Sequence, residues 1–207
     1  MNQFYGNVLP MQPIQLMQPM QPINCYSKSQ VELWNKNRLL WQQHVYWTRM
    51  AVTALVFKLP DVKFVLARLL RNATDMGDSL RPYYGDEIAN AYGGLIREHL
   101  TIAADLVTAA ANGETEKVET LEANWYRNAD EIAEFLNRIN PYIDREAFRK
   151  MMYSHLALLK LEVVCMIQRN FELEVQVFDR IEAEALMMAD MISEGIFKQF
   201  PYAFVPQ

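Results

Sequence analysis

Leu39-Leu40-Trp41-Gln42-Gln43-His44, Leu95-Ile96-Arg97-Glu98-His99 and Met151-Met152-Tyr153-Ser154-His155 hold all three histidines of the chain, which fall 55 and then 56 residues apart. Each histidine stands about fifteen residues before a turn signal, the spacing of one helical hairpin used three times. Apolar residues recur around each at intervals of three and four, the period of a helix with one buried face. Leu33, Asn37, Leu40, Trp41, His44, Thr48, Ala51 and Leu55 trace the first such stripe. Ile88, Tyr92, Ile96, His99, Ala103 and Leu106 trace the second, and Phe148, Met152, His155, Leu159, Glu162 and Met166 the third.

Between these stripes lie return helices of the same period. Val62, Val65, Leu69, Asn72, Met76 and Leu80 precede Pro82-Tyr83-Tyr84-Gly85, and Leu121, Trp125, Asn128, Ile132 and Phe135 precede Asn140-Pro141. Val177, Ile181, Glu184, Met188 and Met191 form the inner row of the last helix. Arg71-Asn72-Ala73 and Arg127-Asn128-Ala129 repeat at the same offset as the histidines. Short connections make consecutive helices antiparallel. The expectation is therefore an all-α fold: an up-and-down bundle of six helices built from three repeated hairpins. One six-helix bundle and a four-helix bundle with an added hairpin both satisfy the pattern.

Residues 1–26 form a separate Met/Gln/Pro-rich arm, in which Met11-Gln12-Pro13, Met17-Gln18-Pro19 and Met20-Gln21-Pro22 repeat a short unit. Closely spaced prolines hold a chain extended. The arm is expected to be a leader, a contact for a protein partner or a second copy, or a soft thioether set for Cu(I). Residues 27–207 make one helical domain.

Hydrophobic residues are 51% of the 207, enough for a sizeable core, and the formal net charge is -5. That acidic balance lacks the basic footprint that nucleic acid requires. Absence of a basic n-region and of any run of about 18 apolar residues predicts no export signal and no membrane span. Cys25 and Cys165 read as separate free thiols, which fits the cytoplasm.

Trp41-Gln42-Gln43-His44-Val45-Tyr46-Trp47-Thr48-Arg49, Arg81-Pro82-Tyr83-Tyr84-Gly85-Asp86, Trp125-Tyr126-Arg127-Asn128-Ala129-Asp130 and Lys198-Gln199-Phe200-Pro201 carry a resemblance. Across about residues 30 to 201 the chain resembles a bacterial all-α family, several members of which bear the label acetylglutamate kinase. Such kinases have an α/β fold with glycine-rich phosphate loops; this chain has 7 glycines, no glycine loop after a strand and no segment of period two, so that activity is not expected. More distantly, helical pairs with interior histidines and carboxylates are similar to ferritin-like bundles. Ferritin-like dimetal sites use paired Glu-x-x-His motifs, whereas Trp41, Ile96 and Met152 stand three residues before the histidines, which predicts no oxidase centre.

A buried imidazole needs a partner for each nitrogen, and a buried carboxylate needs a proton, a cation or several donors. Matching heights within each hairpin sets His44 opposite Asn72 or Asp75, His99 opposite Asn128 or Asp130, and His155 opposite Glu184. Glu162 shares the face of His155, two turns on. Two readings follow. In one, His44, His99, His155, Glu162, Glu184, Asp75 and Asp130 are candidate ligands of a divalent metal, Zn or Fe, or contacts for a small ligand. In the other, the layer with Asn72 and Asn128 only fixes helix register, and the protein is a structural or interaction bundle. Arg49, Arg71 and Arg127 are further candidates for an anion pocket. No catalytic nucleophile motif is present.

Overall fold

A computed structural model describes residues 25–205; all but the last two residues of the Met/Gln/Pro arm lie outside them. The described chain is helical, in five helices: α1 Lys28–Val56, α2 Val62–Asn112, α3 Thr115–Ile139, α4 Arg145–Ile167 and α5 Phe171–Gln199, followed by a short 3-10 turn Pro201–Phe204. Residues named in the sequence start and stop them. Ser27 caps α1 in a capping box with Gln30, Asp144 accepts from Ala147 N at 2.7 Å, and Asn170 accepts from Leu173 N. Gly113 ends α2 with φ 74°, the left-handed conformation that suits a residue without Cβ.

The expected sixth helix is a correction. Pro82-Tyr83-Tyr84-Gly85 does not form a loop: α2 is continuous over 51 residues except at Gly85, with φ 77° and ψ -179°. One residue in that conformation turns the chain back on itself. A Cβ added to Gly77 would meet Ala89 O at 2.5 Å, and one on Gly93 would meet Ala73 O at 3.1 Å, so residues 62–84 and 86–112 lie side by side as two antiparallel arms. Arg97 reaching Thr74 Oγ1 at 3.2 Å ties the same seam.

Successive rods pack against one another and the circuit closes, α5 returning to α1, while α1 also touches α4 across the interior. Each seam pairs low with high numbers. Asn72 donates to Leu40 O, Asn128 to Leu95 O, and Tyr153 to Asp130; Asn37 donates to Ser193 Oγ at 2.9 Å, and Arg38 to Asp190. At one end Tyr84 donates to Gln199 Oε1 at 2.7 Å, Asn140 donates to Tyr84, and Gln199 donates to Ile139 O, joining the bend of α2 to the α3–α4 turn and the end of α5. The core includes fully buried Trp125, Tyr92, Phe148, Ile132, Leu136, Leu156 and Ile181. Burying aliphatic and aromatic side chains of this size is the main stabilising term of the fold.

Candidate polar interior site

His44 on α1, His99 on the second arm of α2 and His155 on α4 are all buried. The His44 and His155 rings lie 5.8 Å apart between centroids; Trp41 lies 5.6 Å from His44, and Trp125 lies 5.2 Å from His99. Burial pushes all three imidazoles down from their ordinary 6.5, with His44 at about 4 and His99 at about 3. His44 lowers His99 further, and His155, held well below 6.5, is lowered by burial and then by both other histidines. The three rings are thus neutral at pH 7 and within electrostatic reach of one another.

Their nitrogens are incompletely matched. Asn128 Nδ2 donates to Leu95 O at 3.2 Å, so its Oδ1 is the acceptor for His99 Nδ1–H at 2.8 Å. That tautomer leaves a lone pair on His99 Nε2, which has no partner. His44 Nδ1 and His155 Nδ1 also have none. Asn72 donates to Leu40 O at 3.0 Å and is near enough to His44 to favour its charged form, yet Asn72 Oδ1 makes no hydrogen bond of good geometry. Thr48, Ala103 and Leu159, each four residues after a histidine, line a small apolar cavity of about 10 Å³, room for about one water. The Thr48 hydroxyl is unpartnered as well.

Glu162 is 1% exposed and neither oxygen has a hydrogen-bond partner. Burial first, then the charge of Glu174, pushes its carboxyl up to about 8, against the lowering influence of Arg49; Glu174 is also near enough to favour the protonated form, yet no hydrogen bond of good geometry joins the two. Arg49 grips Glu174 with both arms of its fork, at 2.8 and 2.7 Å, and its Nε lies 3.8 Å from Glu162 Oε1. Glu174 is the functional-looking residue that the sequence reading passed over. It stands one helical step before Val177 on the inner row of α5, and that spacing was the available signal.

The remaining candidates are elsewhere. Asp75 pairs with Arg71 at 3.2 Å on the surface, Asp130 accepts from Tyr153 at 3.0 Å, and Glu184 accepts from Ser154 at 2.6 Å. None of the three meets the histidine it was expected to face. Arg127 pairs with Glu131, so Arg49, Arg71 and Arg127 do not line an anion pocket. Among the described residues, no group of three or more His, Cys, Asp and Glu side chains stands in an arrangement that holds a metal ion. No described helix is long and apolar enough to cross a membrane.

Comparison with family models, with curated proteins and with solved structures finds no match. None of the three supports the ferritin-like resemblance.

Proposed function

We propose that the protein is a binding bundle whose interior imidazoles take a divalent transition metal, Zn or Fe, without oxidase chemistry. The observation that carries this reading is the set of unpartnered nitrogens on three buried, neutral histidines. Buried polar groups are normally satisfied, and a neutral imidazole lone pair is the form that ligates metals. Two imidazoles on one ion with bonds near ~2.1 Å have ring centroids about 5 Å apart at tetrahedral angles, and His44 and His155, at 5.8 Å, lie a small side-chain adjustment from that. His99, whose Nδ1–H is held by Asn128 and whose Nε2 is unpartnered, is the third candidate ligand, and water completes the shell. The finer architecture belongs to the same reading: three hairpins used as one repeated unit in a single domain, working in the cytoplasm. Exposed Cys25 and buried Cys165 are free thiols, in keeping with a reducing compartment.

Metal analysis of protein purified without a histidine tag, followed by Co²⁺ titration, tests it. A ligand-field spectrum that disappears in the His44→Gln/His155→Gln double variant is expected. No bound metal and no spectrum in wild-type protein that is fully folded refutes it.

A second reading has one specific support. Asn128 ties His99 to Leu95 O, and Asn72 ties α2 to Leu40 O, contacts suited to fixing register between rods. On that reading the bundle is an interaction protein and residues 1–26 bind a partner or a second copy. Sedimentation of the chain with and without those residues decides, since an unchanged state of association removes self-association as their role.

A further inference from the structure

Arg49 lies between an open cleft and the polar interior. Its side chain is 33% exposed, its guanidinium rests 4.7 Å from the centre of the Phe178 ring, and it spans α1, α5 and α4 through Glu174 and Glu162. On its outer side Arg49, Met50, Thr53, Leu59, Asp61 and Val65 line a cleft of about 250 Å³. On its inner side are two carboxyl groups, 1% and 4% exposed. The fork is spent on Glu174, so Glu162 lies within Coulombic reach of Arg49 but makes no hydrogen bond to it, and both its oxygens are unpartnered.

This is an unusual use of a buried acid. A surface arginine paired with one carboxylate already forms a neutral unit. A second carboxyl added behind it, bare of donors, gains nothing for packing that a leucine would not give. A divalent cation offers the pair a second balanced state, in which both carboxylates face the ion and the guanidinium is released toward the cleft.

We propose that Glu162 and Glu174 form a second cation-binding position, closed by Arg49, that takes a hard, oxygen-seeking divalent ion such as Mn²⁺ or Fe²⁺ from the cleft. On binding, the ion displaces the Arg49 fork from Glu174, and Glu162 releases its proton to solvent. Carboxylates suit such ions, whereas the imidazole layer suits Zn²⁺. Only the onward passage of an ion to the histidines rests on the function proposed above; the carboxylate position stands without it.

Mn²⁺ binding read by the electron paramagnetic resonance of the free ion tests the proposal on the full chain, with circular dichroism confirming the fold of each variant. Arg49→Gln removes the competing cation and should tighten Mn²⁺ binding by about tenfold or more. Adding Glu162→Gln to it should abolish the gain, and His44→Gln/His155→Gln should leave Mn²⁺ binding in place. Where Arg49→Gln does not fold, Glu162→Gln alone decides, since it leaves the Arg49–Glu174 pair whole and should weaken Mn²⁺ binding by about tenfold. Unchanged Mn²⁺ affinity in the folded variants overturns the carboxylate position. Loss of Mn²⁺ binding in the histidine variant also overturns it, by placing the ion on the imidazoles. Failure of Co²⁺ to bind the imidazoles is read separately and leaves this position untouched.

Discussion

Acidification from pH 6.5 to 5 should destabilise the bundle by about 1 kcal/mol or more, and the direction follows from where each buried group holds its proton. In the unfolded chain the histidines take up protons below their ordinary 6.5; in the folded chain His44 resists until about 4, His99 until about 3, and His155 until well below 6.5. Stability from this source is complete above the ordinary value and is lost as the pH falls toward the folded values. Glu162 acts oppositely. Its folded carboxyl keeps a proton up to about 8 where the unfolded one loses it near 4.5, so its contribution is complete below 4.5 and is lost as the pH rises through 8. At about 1.4 kcal/mol per pH unit and group, His44 and His99 together lose about 3 kcal/mol over this interval and Glu162 returns about 2, while His155 adds to the loss. A loss of about 1 kcal/mol is measurable against the roughly 5 to 15 kcal/mol that holds a domain together. Urea unfolding followed by far-ultraviolet circular dichroism, repeated across the pH range in a chelating buffer, measures it. The chain has only three histidines, all of them buried, and ordinary carboxylates titrate mainly below this window. Above pH 7 a shallower decline on the order of 1 kcal/mol by pH 8.5 belongs to Glu162 and should vanish in Glu162→Gln. Stability that is level between pH 5 and 6.5, or that rises on acidification, refutes the neutral buried imidazoles.

Two substitutions probe the frame that holds the layer. Gly77→Ala places a Cβ 2.5 Å from Ala89 O, and backbone cannot yield as a side-chain tip can, so a loss of about 1 to 3 kcal/mol is expected in urea unfolding; a neutral result would mean that the arms of α2 do not pack as closely as described. Asn128→Leu removes both the acceptor for His99 Nδ1–H and the bond to Leu95 O, leaving a buried donor bare, with an expected loss of about 1 to 3 kcal/mol; a change within about 0.5 kcal/mol would dismiss the pair as a determinant of register.

The helical fold was legible because the stripes are long and each turn carries its own chemistry: Asp61, Gly113, Asn140-Pro141 and Arg169-Asn170 fall at or beside the connections between helices. The number of helices was not. A proline and two tyrosines before Gly85 read as a loop, but the reversal needs only Gly85 itself to leave the helical conformation. The pairing of His99 with Asn128 was legible as well, since Asn128 stands on the apolar stripe of its return helix; Asn72 stands on such a stripe too, but it donates to Leu40 O and makes no hydrogen bond of good geometry with His44. Asp130 was misassigned for a geometrical reason. It follows Asn128 by two residues, about 200° around the helix, so the two cannot serve one face; Asn128 turns to α2 and Asp130 to Tyr153 on α4. Asp75 and Glu184 fail more narrowly, for each sits on the flank of its helix. There a polar neighbour, Arg71 or Ser154, is nearer the solvent than the buried ring.

Glu174 shows what a stripe conceals when one of its members is charged. An acid in the first turn of a helix has an ordinary purpose, since it faces the positive end of the backbone dipole, and Glu172 beside it in sequence serves that end from an exposed position. Glu174 is 3% exposed and is gripped by an arginine from another helix, so the helix end does not account for its burial. The inward phase it shares with Val177 and Ile181 puts it behind Arg49, and the same phase on α4 puts Glu162 behind it in turn. Two acids on two apolar stripes meet at one arginine that also lines the cleft. The histidine layer has no comparable charged closure among the contacts of its three rings. On the two proposals above, a cation entering from the cleft meets the Glu174 carboxylate and the Glu162 carboxyl, not the imidazoles, first, and substitutions there and at the histidines are therefore expected to separate the two ions rather than weaken both.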